Sequence, residues 1–411
     1  MKRLATIVPA LVLTFALVAG AAQAQTADAL FASQDLQRVD LFLHSADWLK
    51  LRAEFQSNTY YPADLTLNGQ TVRNVGIRSR GRGSRSSNKP GLRVDFDRYT
   101  TAQRFLGLKS FVLDNSTQDT SGVHEAVAMA FYARLGIPAP RTIHTRLYVN
   151  NEYAGLYVIV ESVDKDMLAR VFGAIGEDTQ NDGYLYEFKW MDDWKFGYLG
   201  DGLSEYKLRF EPTTHESKSD EELYRPIETL IKLANQTPTD RIAAELGPRL
   251  DIAAVIRFIA AQVFLAETDG FLGGFGINNF YLYRLENSNA HTFIAWDADN
   301  TFYHPEYPTN SGINDNVLMR DFMAVPEYNA LFFAELRRCV ELAEADDWLN
   351  TEAVRHIQRV DTAMKEDPFK PYSNNAYEGK AGEMLTFARA RIAFVKCELE
   401  KGAGNTSCRT Q

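Results

Sequence analysis

The chain has 411 residues, of which 45% are hydrophobic and 24% charged. That is enough apolar material for a core, and it excludes a disordered chain, a collagen or a coiled-coil rod. The net charge is −10 and only one short stretch is strongly basic, which argues against nucleic acid as a partner. Residues 1–24 read as a secretory signal peptide: Lys2 and Arg3, an apolar run from Leu4 to about Ala22, then Ala22-Gln23-Ala24 as a cleavage site. Nothing else approaches the roughly 18 consecutive apolar residues of a membrane span. The expected address is therefore extracytoplasmic (periplasmic, secreted or cell surface), with no membrane span after cleavage. Such a compartment permits a disulfide. The three cysteines allow Cys397 with Cys408, or Cys339 with Cys397, and their spacing does not suit zinc.

In chain order, Arg38 to Leu43 predicts a strand and Asp47 to Phe55 a helix. Asp64 to Leu67, Asn68-Gly69 and Val72 to Arg80 predict a β-hairpin with an Asn-Gly turn. Residues 81–91 hold too many turn formers for an element, and Leu92 to Phe96 alternates as a further strand. Residues 123–135 form an Ala-rich amphipathic helix that stops at Gly136. Thr142 to Val149 and Gly155 to Val160 flank a turn as two strands. The second half is mainly helical, over 221–235, 239–268, 319–345, 350–365 and 377–400. Two short strands, Asn279 to Tyr283 and Thr292 to Trp296, interrupt it. The polar stretch 192–222 reads as a loop-like insertion or mobile region.

Three constellations carry chemistry. Arg78-Ser79-Arg80-Gly81-Arg82-Gly83-Ser84-Arg85-Ser86-Ser87-Asn88-Lys89 lies between two predicted strands and suits a polyphosphate, since backbone N–H groups and cationic side chains meet there. It lacks the Gly-Lys-Ser/Thr ending of a Walker A loop. Asp269 follows a buried helix, and Asn278-Asn279 enter a strand. The aspartate can accept a proton from an attacking hydroxyl and the asparagine can bind Mg²⁺ through its amide oxygen. Asp297 and Asp299 follow an apolar strand, as hard oxygen ligands for Mg²⁺ or Mn²⁺. A phosphate loop, a β-rich part with one helix, an Asp and an Asn, then a metal Asp is the order of parts in a protein kinase.

The chain resembles the CotH kinase family, the spore coat protein H-like atypical protein kinases, over about residues 38–305. The resemblance rests on Val75-Gly76-Ile77-Arg78-Ser79-Arg80-Gly81, Lys89 before Leu92-Arg93-Val94-Asp95-Phe96, and Leu147-Tyr148-Val149-Asn150. Glu152-Tyr153-Ala154-Gly155-Leu156-Tyr157-Val158-Ile159-Val160-Glu161, Asn279-Phe280-Tyr281-Leu282-Tyr283 and Trp296-Asp297-Ala298-Asp299 complete it. It implies an α+β, two-lobed protein-kinase-like fold. The β-rich N-lobe, with one main helix, would span 25–160, with the phosphate hairpin at 76–96. The mostly helical C-lobe would span 161–400, with its catalytic and metal motifs at 268–302, and a tail would follow over 401–411. It implies transfer of the γ-phosphoryl group of ATP to Ser or Thr of a protein, with Mg²⁺ or Mn²⁺.

Carried onto this chain, Asp269 is the catalytic-loop aspartate and Asn279, with Asn278 as its rival, the metal asparagine. Asp297 is the metal aspartate and Asp299 its assistant. Lys89 is the phosphate-pairing lysine, Glu125 its helix partner, Arg78 and Arg80 phosphate contacts, and Glu161 the adenine-side residue. Lys189 and Lys207 are rival lysines. Three features depart from the pattern: the ten-residue step from Asp269 to Asn279, Thr268 where a kinase usually has Arg, and the arginine-rich loop. Two other classes remain open: a non-catalytic kinase-like surface or coat-assembly protein, and a secreted glycan hydrolase using Asp269 and Asp297.

Overall fold

The computed structural model describes residues 26–173, 181–286 and 288–409, so the signal-peptide expectation lies outside the described residues. A short helix α1 (Ala27–Phe31) leads into strand β1 (Gln37–Phe42), helix α2 (Ser45–Ala53) and the hairpin β2 (Tyr61–Leu67) and β3 (Gln70–Arg80). Asn68 and Gly69 both take positive φ, as the tight two-residue turn of a hairpin requires. Strands β4 (Gly91–Asp95) and β5 (Ser110–Asp114) precede helix α3 (His124–Arg134). A second hairpin, β6 (Thr142–Val149) and β7 (Glu152–Glu161), turns on Asn150 and Asn151, again at positive φ.

These seven strands close into a barrel in the order β1-β2-β3-β4-β5-β7-β6, sealed by a parallel pairing of β1 with β6. The side chains alternate. Val39, Leu65, Ile77, Val94, Leu113, Leu147 and Ile159 fill the interior, while Val112, Val158 and Val160 face outward into a separate apolar cluster.

Helix α4 (Lys165–Phe172), strand β8 (Tyr184–Phe188), helix α5 (Ser204–Arg209) and strand β9 (Phe210–Pro212) follow. Helices α6 (Asp220–Gln236), α7 (Ile242–Leu246) and α8 (Ile252–Phe264) lead to strands β10 (Phe280–Arg284) and β11 (His291–Ala295). A second sheet forms in the order β11-β10-β8-β9. Its residues Leu185, Tyr281 and Ile294 pack on the outward valines of the barrel. Helices α9 (Val317–Met323), α10 (Pro326–Glu344), α11 (Trp348–Glu366) and α12 (Asn374–Lys401) complete the molecule. Cys397 is bonded to Cys408, and Cys339 is free and buried.

The architecture is mixed α+β, and it differs from expectation in four places. The β-rich part is a closed seven-stranded barrel rather than the β-rich lobe of a two-lobed kinase-like fold, because β1 pairs with β6 and closes the sheet. Helix α3 buries Val127, Phe131 and Tyr132 in the core of the helical part rather than in the barrel interior. The segment 192–222 is ordered by its aromatic residues, with Phe196, Tyr206 and Phe210 buried and β9 paired to β8. The helix expected over 239–268 breaks at Gly247-Pro248, and Asp251 starts α8 afresh by accepting from Ala254 N at 3.0 Å.

Candidate active site

The site lies where the outer face of the barrel meets the second sheet. Arg80 ends β3 and Asp114 ends β5, and their charged groups stand 3.8 Å apart. The Arg80 guanidinium also lies over the Trp296 ring at 4.7 Å. Across from them, β11 ends just before Asp297 and Asp299. Asp297 takes positive φ, which a short polar side chain tolerates better than most. Glu125, in the first turn of α3, is buried beside them.

Two loops are stitched together here. Phe302 N donates to Leu265 O at 2.6 Å, and Thr268 donates to Asn300 O through both its N and its Oγ1 at 3.3 Å. The loop after α8 thereby lies against the loop after β11. The half-buried Asp269 carboxylate accepts from Asn278 Nδ2 at 3.2 Å and from Asn279 Nδ2 at 3.1 Å, which leaves the Asn279 amide oxygen for another partner.

Electrostatics mark this cluster. Burial, then the Asp114 charge, pushes the Asp297 carboxyl up to about 6, and Asp269 adds to the rise while Arg80 opposes it. Burial and the Asp297 charge push Asp299 well above the carboxylate range. Burial, with Asp114 and Asp297, does the same to Glu125. Asp269 is also raised, mainly by burial, against the two asparagine bonds. An acid-rich site with one facing arginine favours a cation. Among the described residues no three His, Cys, Asp or Glu side chains form a ready ligand cage. Two carboxylates and an amide oxygen fit Mg²⁺, which usually takes one or two carboxylates and fills its shell with phosphate oxygens and water.

Asp269, Asn279, Asp297, Asp299, Glu125 and Arg80 come together, but other expected residues do not join them. Lys89 does not pair with Glu125. Its Nζ lies 2.7 Å from Asp367 Oδ2, and both side chains are essentially inaccessible to solvent. The reason is local: Lys89 stands two residues before Gly91 starts β4, and its ammonium lies over the ring of Tyr157 on β7. Arg78 turns to Asn58 at 3.1 Å and to the Tyr60 ring, away from the acids. Glu161 is clamped by Arg141 at 2.8 Å and Arg170 at 2.6 Å, so its carboxylate is committed to two guanidinium groups rather than to an adenine. Lys189 pairs with Glu187 and Glu211 at the rim, and Lys207 with Asp220 on the surface.

Sequence reasoning missed Asp114, Glu187 and Asp367. Asp114 closes the apolar run Ser110-Phe111-Val112-Leu113, a legible strand signal. Asp367 had none, since a polar turn after a helix is ordinary. Its carboxylate also accepts from Leu156 N, Phe369 N and Lys370 N.

Residues 77–395 match the family described as CotH kinase protein. The chain belongs to the CotH family. The inner spore coat protein H of Bacillus subtilis (strain 168) is 22% identical to this CotH chain over 373 residues, 89% of this chain and 98% of that protein. Two solved structures are also similar. One is the HipA–HipB toxin–antitoxin complex with its operator DNA from Shewanella oneidensis MR-1, at 12% identity and TM-score 0.34, covering 88% of this chain and 74% of that one. The other is the Helicobacter pylori proinflammatory kinase CtkA, at 11% identity and TM-score 0.26, covering 77% and 94%.

Proposed function

We propose that this CotH-family chain is an ATP-dependent phosphotransferase of the kinase type, acting on Ser or Thr of a protein outside the cytoplasm. The observation that carries the reading is the closeness of Asp297 to Arg80, Asp269 and Asp299 at one partly buried junction, within a chain whose family is described as kinase. Asp297, with Asp299 and the Asn279 amide oxygen, would hold Mg²⁺. When bound, the ion would offset charge on the triphosphate. Arg80, fixed by Asp114 and Trp296, offers its guanidinium to phosphate oxygens. Asp269 is presented to the acceptor hydroxyl by its two asparagine donors and orients that proton for transfer. Lys89 has no part in this scheme, because it is held by Asp367. An extracytoplasmic address accords with the predicted signal peptide and with the coat-protein name of the Bacillus relative.

The test is ³²P transfer from ATP with Mg²⁺ to a Ser/Thr-containing acceptor or to the chain itself. Asp269→Asn should remove transfer and leave the circular dichroism spectrum unchanged. Transfer equal to wild type in both Asp269→Asn and Asp297→Asn would refute the assignment. A wild-type chain that neither transfers phosphate nor binds Mg²⁺-ATP would favour the non-catalytic binding reading.

A further inference from the structure

The turn from α8 to Asp269 is tight. Ala266 takes φ +51°, a region that costs a residue with a Cβ. Something must hold that turn, and Glu267 is placed to do so. Its side chain is buried, and its Oε1 accepts from Asp269 N at 2.8 Å. Its own N donates to Gln262 O at 3.0 Å, and Gln262 Oε1 accepts from Phe271 N at 2.9 Å. Gly270 closes over both: a Cβ there would lie 2.6 Å from Glu267 Cγ and 2.7 Å from Gln262 Nε2.

We propose that Glu267 is a positioning residue whose buried carboxyl fixes the backbone of Asp269 and so aims the Asp269 carboxylate at Asn278 and Asn279. The proposal rests on the phosphotransferase reading only for its effect on turnover. The need is for an acceptor atom, not for a charge. Burial first, then the neighbouring Asp269 and Asp297 charges, holds the Glu267 carboxyl up at about 8, so a neutral amide can replace it.

The experiment compares Glu267→Gln, Glu267→Met and wild type by amide hydrogen exchange on the full chain. Loss of the acceptor in Glu267→Met should speed exchange at the Asp269 amide by about tenfold or more. The Leu265 amide, which donates to Ala261 O within the helix end, is the internal control and should not change. Glu267→Gln should match wild type at both. Gly270→Ala displaces the carboxyl without removing it and serves if the Met variant fails to fold; it too should expose the Asp269 amide. In transfer assays Glu267→Met should lower kcat while leaving KM for Mg²⁺-ATP within about twofold, and Glu267→Gln should restore kcat. Unchanged exchange at Asp269 in Glu267→Met overturns the proposal, as does a Gln variant as exposed as the Met variant. A wild-type chain without transfer activity sinks the phosphotransferase reading, while the exchange result still decides this one.

Discussion

Replacing Asp297 by Asn should make the protein inactive yet more stable. Burial and the Asp114 charge lift the Asp297 carboxyl from its ordinary 3.8 to about 6. That shift of about two units corresponds to about 3 kcal/mol lost to the folded state when the carboxylate is charged. Asp297 keeps some contact with solvent, and Asp299 and Glu125 readjust when it is neutralised, so about 1–2 kcal/mol should be recovered. The sign follows from proton linkage. Between pH 4 and pH 6, roughly, the folded state binds a proton that the unfolded state has released, so wild-type stability falls as pH rises through that window. Asn carries no charge at any pH. Its advantage should be full above about pH 6, shrink on acidification, and vanish below about pH 4. Arg80 keeps Asp114 as a partner, so no unpaired guanidinium offsets the gain. The assay is urea unfolding in EDTA at pH 8 and pH 4. Equal or lower stability of Asp297→Asn at pH 8 would refute the account of a strained acid cluster. Added Mg²⁺ should stabilise wild type and not the variant.

The buried pair behind the arginine loop gives a second expectation. Lys89→Met leaves the Asp367 carboxylate without its cation and should cost about 3–5 kcal/mol in urea unfolding, while the double variant with Asp367→Asn should recover most of it. A Lys89→Met protein of wild-type stability that lacks phosphate transfer would instead return Lys89 to the phosphate site. Arg391→Met should destabilise by more than about 3 kcal/mol, because the buried guanidinium serves four carbonyls: Val263, Phe264, Pro305 and Tyr307. Thermal melting reads that loss, and a shift of less than a degree would contradict it.

The elements with local signals were legible in the sequence. The Asn68-Gly69 hairpin, α3 with its Gly136 stop and the β6–β7 hairpin follow from turn chemistry and periodicity, and each stands within a few residues of its predicted bounds. Asp269, Asn279, Asp297 and Asp299 stand out in the sequence because they sit at the ends of apolar elements, and the structure brings their loops near one another. What depends on distant pairing was not legible. Barrel closure requires β1 to meet β6 across roughly a hundred residues, and no local pattern encodes that. Lys89 was assigned by its place beside a glycine-rich loop. Its true partner lies far along the chain, at the end of α11. The polar run 192–222 misleads because its aromatics, not its average hydropathy, decide its burial.

Helix α3 packs with the helical body while β5, just ahead of it, belongs to the barrel. Glu125 therefore reaches the site from a helix rooted in the helical core, whereas Arg80 and Asp114 reach it from the ends of barrel strands. The charges at this junction are thus supplied from separately packed cores, so a ligand that bridged them would tie those cores together.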